Sequence, residues 1–150
     1  LSRAVWTAKA IRGHHGLTPI PDQRIRVMSF GVWEGMTREE IKQKFPDIFY
    51  ARYRDSMNIR VPGGELPHEV VERFHAFLNE LIKTHVSETV VVVSHGGCLR
   101  FTIAALLSIP LDKSYCLHLS NAGISELQYV GADRQCPWEA ITINSTGHLT

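Results

Sequence analysis

The sequence carries almost no excess charge and has no long apolar run. Its 150 residues include 16 Lys and Arg against 15 Asp and Glu, which gives a formal net charge of +1. Charges this evenly balanced give no reason to expect a nucleic acid or an acidic membrane as a partner. No stretch approaches the roughly 18 apolar residues of a membrane-spanning helix. With 44% hydrophobic residues, the chain is long enough for one domain with a core.

Cysteines and metal-ligand patterns are also scarce. The three cysteines, Cys98, Cys116 and Cys136, are odd in number and lack Cys-x-x-Cys spacing. This pattern is typical of reduced thiols in a cytoplasmic protein rather than of a disulfide framework. The sequence contains no His-Glu-x-x-His pattern. We therefore expect a cytoplasmic protein whose site uses no metal and no other cofactor.

The most informative segment is a histidine-containing turn that follows an unbroken apolar run. Residues 89–93 read Thr-Val-Val-Val-Val and residues 94–97 read Ser-His-Gly-Gly. Valine runs of this kind are typical of a buried strand in a parallel sheet, and ligands bind beyond the carboxyl ends of such strands. Gly96 and Gly97 let the backbone approach a ligand, and the N–H groups of a following helix favour phosphate. His95 is therefore a candidate phosphate ligand; a turn histidine bonded to the backbone is the alternative.

The remaining pattern predicts alternating helices and strands. Thr37 begins a capping-box sequence, and apolar residues between 67 and 85 recur at helical spacing. The mixed segment at residues 47–64 is expected to form a flap over the site. These elements predict an α/β layered domain, with helices on both faces of a parallel core sheet. The predicted helices are residues 2–11, 37–45, 67–85 and 97–108, and the predicted strands or extended segments are residues 24–28, 90–93, 115–119, 124–130 and 138–143.

Four motifs occur in order along the chain. Residues 1–8 read Leu-Ser-Arg-Ala-Val-Trp-Thr-Ala, residues 30–35 Phe-Gly-Val-Trp-Glu-Gly, residues 62–65 Pro-Gly-Gly-Glu and residues 93–100 Val-Ser-His-Gly-Gly-Cys-Leu-Arg. Together they resemble the histidine phosphatase superfamily in its phosphoglycerate mutase-like branch, most closely the α-ribazole and broad-specificity phosphatases. The resemblance extends to the tail at residues 144–149. It implies a single domain with a three-layer phosphoglycerate mutase-like fold and a mostly parallel central sheet, acting on a small phosphorylated substrate.

The resemblance also implies a phosphate-binding role for residues in the first and last motifs. Arg3 matches the bidentate phosphate clamp of the family, and a solvated surface arginine is the alternative. His95 would stabilise the transferring phosphoryl group, together with the N–H groups of Gly96 and Gly97. A pocket of this kind binds phosphate, but cleavage also needs a nucleophile and an acid.

Four further residues have weaker claims. Glu65 lies in a segment that borders the family's pocket and is a candidate catalytic acid, with Glu34 as a second acid near the expected cleft. A helix-start or loop hydrogen bond is the simpler alternative for each. Asn121 matches a residue at the pocket rim, and a turn-forming asparagine is the alternative. Arg100, early in the helix after the glycines, is expected to pair with a carboxylate.

The sequence departs from the family pattern in two places. It contains no Arg-His-Gly, the segment whose histidine is the family's nucleophile, and Val27 occupies the position of the family's acidic proton donor. We expect that an upstream strand and helix of at least about 30 residues are missing, that this chain alone does not turn over, and that the exposed strand edges favour a homodimer. A noncatalytic phosphate-binding or interaction protein is the alternative that Val27 supports. A phosphoglycerate mutase is the weaker enzymatic alternative.

Overall fold

The computed structural model describes residues 2–13 and 15–149. Over these residues the chain forms five α-helices, four short 3-10 helices and one antiparallel pair of strands. None of the described helices is long and apolar enough to cross a membrane. The α-helices are α1 (Ser2–Arg12), α2 (Arg38–Lys44), α3 (Pro46–Arg54), α4 (Pro67–Thr84) and α5 (Gly96–Leu106); the strands are β1 (Ile124–Tyr129) and β2 (Trp138–Ser145); the 3-10 helices are Gln23–Ile25, Gly31–Trp33, Leu111–Cys116 and Gly147–Leu149.

The predictions of α1, α2, α4, α5 and the final pair of strands are confirmed. The capping box of α2 forms as expected: the side chain of Thr37 accepts a hydrogen bond from the N–H of Glu40, and the Glu40 carboxylate accepts one from the N–H of Thr37. Residues 130–137 connect β1 to β2, which pair antiparallel from Tyr129 and Trp138 with shifts of register between Leu127 and Ile124.

The strands predicted at residues 24–28 and 115–119 do not form, and the segment predicted as a flap contains a helix. Residues 24–28 do not form a strand, because the Asp22 carboxylate accepts from the N–H of Arg24 and begins a 3-10 turn. The flap predicted at residues 47–64 contains α3, since Pro46 occupies the first turn of a new helix, where proline is tolerated. Residues 115–119 include the end of a 3-10 helix, and the Tyr115 ring packs edge-on against Phe101.

The valine run at residues 90–93 is not part of a sheet among the residues that the structure describes. None of these residues pairs with it, and its backbone groups make no hydrogen bonds to them. Val91 is 61% exposed. A strand needs a neighbour that completes its hydrogen-bond ladder. The parallel core sheet predicted from the sequence is therefore not formed within the described part of the chain.

The core lies between α4 and α5 and fixes where α5 begins. It consists of Met28, Val70, Phe74, Cys98 and Phe101, each at least nine-tenths buried. The turn before α5 and its first turn are bonded to the last residue of the first 3-10 helix and to the residue after it. Ser94 donates through its Oγ to the carbonyl of Ile25 at 2.7 Å, and the Cys98 thiol contacts the carbonyl of Arg26 at 3.4 Å. These bonds hold the N-terminus of α5, with His95 directly before it.

Candidate active site

His95 is the N-cap residue of α5 and leaves the first turn of the helix open. Its backbone is extended, with φ −121° and ψ 140°, and its side chain does not cap the helix. The His95 carbonyl accepts the hydrogen bond from Leu99 that starts the helix, at 2.9 Å. Added Cβ atoms at Gly96 and Gly97 would meet nothing within 4 Å. Gly96 and Gly97 are exposed and their N–H groups donate to no described residue, so an anion beside this turn would be stabilised by these groups and by the helix dipole.

Arg3 lies close enough to His95 for its charge to act on the imidazole, although 91 residues separate them in the chain. The pKa of the His95 imidazole is lowered, first by its partial burial and then by the positive charge of the Arg3 guanidinium. Arg3 lies near the start of α1, is exposed, and forms no ion pair with any described residue. Two of the predicted site residues thus lie within electrostatic range of each other, and the Arg3 guanidinium has no ion-pair partner among the described residues.

The motifs at residues 30–35 and 62–65 are joined to each other by backbone hydrogen bonds. The loop at residues 30–35 and the loop at residues 62–65 form an isolated antiparallel bridge. Val32 donates its N–H to the carbonyl of Pro62 at 3.0 Å. These two segments are close in space because backbone bonds link them, which the spacing of the motifs did not predict.

Glu65 is held by two arginines and a backbone N–H. Arg73 donates to both of its carboxylate oxygens, at 2.9 and 3.1 Å, Arg26 donates at 2.9 Å, and the N–H of Ser29 donates at 2.9 Å. Burial by itself would raise the pKa of Glu65, but these bonds and the arginine charges outweigh it, so the pKa is lowered. The carboxylate holds the two loops together in its ionised form.

The other candidate acid, Glu34, is also ionised. Its carboxylate accepts a hydrogen bond from the Ser29 hydroxyl at 2.7 Å and one from the N–H of Phe30 at 3.0 Å, and these bonds lower its pKa. Val27, at the position of the family's acid, contributes only its carbonyl, which accepts from Arg73 at 3.4 Å. Neither Glu34 nor Glu65 is thus poised to replace the acid that Val27 lacks.

Asn121 lies apart from these contacts. It is exposed in a turn before β1, where the N–H of Gly123 donates to the carbonyl of Ser120 at 3.1 Å. No hydrogen bond links it to another described residue, so its role at a pocket rim stays a prediction. Among the described residues there is also no cluster of three or more His, Cys, Asp or Glu side chains that could hold a metal ion.

Sequence reasoning missed Arg73 and misjudged Arg100. Arg73 lies on α4 between the buried residues Val70 and Phe74, and a charged residue within an apolar stripe is the signal that could have identified it. The predicted carboxylate partner of Arg100 is wrong: in the described structure the guanidinium lies over the Tyr115 ring, 5.4 Å from its centroid. Arg100 forms no ion pair with any described residue.

Comparisons with known proteins find relatives along most of the chain. The family model described as "Histidine phosphatase superfamily (branch 1)" matches residues 1–141. Phosphoserine phosphatase 1 of Hydrogenobacter thermophilus is 35% identical over 125 residues, covering 83% of this chain and 59% of the relative. A probable phosphoglycerate mutase of Yersinia pestis is 29% identical over 140 residues, covering 93% of this chain and 63% of the relative. The chain thus spans 59% and 63% of the lengths of these two relatives.

Solved structures superpose on nearly the whole chain. Bacillus stearothermophilus YhfR matches with a TM-score of 0.87 and 25% identity, covering 99% of this chain and 72% of that one. Mycobacterial glucosyl-3-phosphoglycerate phosphatase in complex with inorganic phosphate has a TM-score of 0.78 and 27% identity, covering 95% and 72%. The α-ribazole phosphatase of Shigella flexneri shares the fold, with a TM-score of 0.84 and 22% identity, covering 97% and 70%.

Proposed function

The chain belongs to branch 1 of the histidine phosphatase superfamily, and on this premise we propose that it forms the phosphate-binding side of a phosphomonoester hydrolase site. The family resemblance expected from its motifs is confirmed, and its fold is the α/β, phosphoglycerate mutase-like fold of its structural neighbours. The observation that supports the proposal is that the positive charge of Arg3 acts on His95, which lies directly before the first turn of α5.

Each group at this site meets a different need of a phosphoryl group. The Arg3 guanidinium is planar and can bind two phosphoryl oxygens at once, which fixes their orientation. The N–H groups of Gly96 and Gly97 add fixed dipoles that favour negative charge. His95 has a lowered pKa, so its ring is neutral in the free site and donates through one ring N–H. Charge that builds up on the phosphoryl oxygens during transfer is therefore stabilised by groups already in place.

The proposal for these 150 residues is limited to binding and charge stabilisation. No Arg-His-Gly segment occurs in the chain, which spans 59% of the length of phosphoserine phosphatase 1. We propose that the nucleophilic histidine and its strand and helix lie outside these residues. Val27 offers no proton to a leaving group, and the lowered pKa values of Glu34 and Glu65 leave both carboxyl groups ionised. The chain by itself is thus proposed to bind a phosphate group without hydrolysing its ester.

Two other functions are compatible with the same pocket. A noncatalytic phosphate-binding or interaction protein is favoured by one observation, the apolar side chain of Val27 at the position of the acid. A phosphoglycerate mutase is the weaker alternative, and it rests on the 29% identity to a probable mutase of Yersinia pestis. Both alternatives keep Arg3 and His95 as phosphate ligands, and they differ in what happens after binding.

The proposal also covers the central sheet, the single domain, the homodimer and the cellular location. We propose that residues 90–93 are a strand of a mostly parallel central sheet in a three-layer domain, and that residues 1–150 belong to one such domain. The backbone of residues 90–93 is unpaired among the described residues, which supports self-association of this chain into a homodimer. Cys98, Cys116 and Cys136 are free thiols, which fits the cytoplasmic location that we propose.

Binding of inorganic phosphate tests the proposal directly. We expect saturable binding by calorimetry at pH 7 and a rise in the pKa of His95 on binding, followed by NMR of its ring protons, because the bound anion favours the imidazolium. Arg3→Met is expected to weaken phosphate binding roughly 10- to 100-fold, since hydrogen bonds to charged groups contribute about 1.5–3 kcal/mol. The same substitution is expected to raise the pKa of His95 in the free protein, because the neighbouring positive charge is removed.

Arg12→Met is the matched control, since Arg12 is exposed at the other end of α1. We expect this variant to bind phosphate as the unaltered chain does. Equal binding by the Arg3 and Arg12 variants, or no saturable binding at all, would contradict the proposed pocket. Hydrolysis of p-nitrophenyl phosphate by this chain, abolished by His95→Ala, would show that the nucleophile lies within these residues after all.

A further inference from the structure

A pocket of about 300 Å³ lies between α4, the end of α5 and the end of the hairpin formed by β1 and β2. Its volume is at the lower end of the roughly 300–1,000 Å³ that small-molecule sites have, so it has room for a ligand of one or two rings. We call it the hairpin pocket. The apolar and aromatic side chains that line it include Leu78, Ile82, Leu106, Tyr129 and Trp138.

The hairpin side of this pocket is held in place by backbone and ring contacts. Tyr129 pairs with Trp138 across the two strands, and the N–H of Val130 donates to the carbonyl of Pro137 at 2.9 Å. The rings of Tyr129 and Trp138 pack against each other, with their centroids 5.3 Å apart. Rings that are already packed lose little conformational freedom when a flat apolar ligand binds against them.

The helix side of the pocket reaches the edge of the core. Leu78 packs against the core cluster that contains Phe74 and Phe101. Leu78, Ile82 and Leu106 are nevertheless only partly buried. A ligand between the helices and the hairpin would remove more of this apolar surface from water, which favours binding of an apolar ring.

His75 adds an unsatisfied polar atom to this apolar site. It lines the pocket from α4, and its Nε2 is buried without a hydrogen-bond partner among the described residues. A buried ring nitrogen without a partner is unfavourable, and most such atoms in proteins are hydrogen-bonded. A hydroxyl group can bond to this nitrogen in either tautomer of the imidazole, because a hydroxyl both donates and accepts.

The lining favours a ligand without charge. The described residues that line the pocket include no Asp, Glu, Lys or Arg. Asn79 and Ser108, which also line it, are exposed and supply only uncharged polar groups. A charged ligand would lose water here without gaining an ion pair, whereas a neutral ligand would not.

The hairpin pocket is separate from the proposed phosphate site. Ala105 lines the pocket and lies nine positions after Gly96, so the two are about 14 Å apart along the axis of α5. Neither Arg3 nor His95 lines the pocket. A molecule bound at the end of α5 therefore leaves both of these residues free.

We infer that the hairpin pocket binds a small neutral ring compound that carries a hydroxyl group. The ring packs between the helices and the aromatic pair of Tyr129 and Trp138, and the hydroxyl is hydrogen-bonded to His75. This site is independent of the proposed function, since it uses none of the residues assigned to phosphate.

Binding of phenol and benzene tests this inference, because the two molecules differ in a single hydroxyl group. In an NMR titration of the full chain, we expect phenol at millimolar concentrations to shift the amide signals of residues 75–82, 105–108 and 129–138 in a saturable way. Benzene is expected to shift the same signals but to bind roughly 2- to 10-fold more weakly, since it lacks the hydrogen bond to His75.

His75→Phe keeps a ring at this position and removes both ring nitrogens. We expect this variant to bind phenol and benzene equally, with its affinity for benzene unchanged. A loss of both ligands would instead be the result of a purely structural change, so the ratio of the two affinities isolates the hydrogen bond.

Ala105→Phe places a ring in the pocket from α5 and is expected to abolish the binding of both ligands. Ala76→Phe is the matched control, because Ala76 is exposed on α4 and does not line the pocket. We expect it to bind both ligands as the unaltered chain does. Amide signals outside the pocket report whether each variant keeps its fold.

The outcomes also distinguish this site from the proposed function. Pocket signals that do not move, or that move without saturation, would overturn the site. Equal affinity of the unaltered chain for phenol and benzene would overturn the bond to His75, and binding that survives Ala105→Phe would overturn the location. Phosphate affinity is expected to be the same in every variant, so either site can fail while the other stands.

Discussion

A carboxyl group acts as a proton donor near neutral pH only when its surroundings raise its pKa. Glu65 was a reasonable candidate from the sequence, because it follows a glycine pair in a family motif. Its neighbours decide otherwise: Arg73 and Arg26 hold the carboxylate in ion pairs of 2.9 Å, and the pKa of Glu65 is lowered. At the scale of the residue, Glu65 is thus a structural anchor that ties the third motif to the segment around Ser29.

Substituting Glu65 tests this role. Glu65→Gln is expected to lower the free energy of unfolding at pH 7 by about 1–3 kcal/mol, because the largely buried Arg73 and the exposed Arg26 lose their counter-charge. The pKa of Glu65 is lower in the folded protein than its ordinary value of 4.5. The stabilisation is therefore complete above about pH 4.5 and is lost as the pH falls through the folded-state pKa. Urea unfolding between pH 3 and pH 7 measures both effects.

The matched control is Glu72→Gln, an exposed carboxylate on α4. We expect it to change stability by no more than about 0.5 kcal/mol. A Glu65 variant as stable as this control at pH 7, or a difference between the two that does not shrink toward pH 3, would show that the ion pairs do not stabilise the fold.

At the scale of the elements, the motifs at residues 30–35 and 62–65 depend on one point where their backbones pass close to each other. Gly31 has φ +53°, and an added Cβ would overlap the carbonyl oxygen of Pro62 and the N–H of Gly64. The 3-10 helix Gly31–Trp33 starts at this point and buries Trp33. The crossing brings residues 62–65 against residues 30–35 and carries Glu65 to its partners. A glycine is required here both by the conformation and by the lack of space.

Gly31→Ala is therefore expected to destabilise the chain strongly, by about 3 kcal/mol or more, because strain at a positive φ adds to a backbone overlap. Gly35→Ala is the matched control. Gly35 also has a positive φ, +80°, but an added Cβ there would meet nothing within 4 Å. We expect it to lose only about 1 kcal/mol. Thermal unfolding of both variants is the measurement, and equal losses would contradict the proposed crossing.

At the scale of the whole molecule, the least satisfied part of the described chain is the valine run. Residues 90–93 present backbone donors and acceptors without partners, and the side chains of Val90 and Val91 are 40% and 61% exposed. Exposed apolar segments with free edges pair with other chains. The core between α4 and α5 lies beside this run, so any segment that covers it would also enlarge the core.

We expect this chain to self-associate at micromolar concentrations through residues 90–93. Val91→Lys is expected to shift the protein toward monomer in sedimentation experiments, since a charged side chain at an open edge opposes pairing. Val86→Lys is the control, because Val86 is 74% exposed in the turn after α4 and lies outside the run. A stable monomer of the unaltered chain, or an equal effect of both lysines, would overturn the proposed homodimer.

The sequence by itself determined the elements whose signals are local and the family to which the chain belongs. Caps and helical periodicity predicted α2 and α4, the strands at residues 124–130 and 138–143 were also predicted, and four short motifs predicted the superfamily. Only the tertiary structure decided what Glu65 and Arg100 contact, and that residues 90–93 have no strand partner among the described residues. The physical reason is distance along the chain: ion pairs, ring contacts and strand pairing join residues far apart in sequence, and no local pattern specifies those partners.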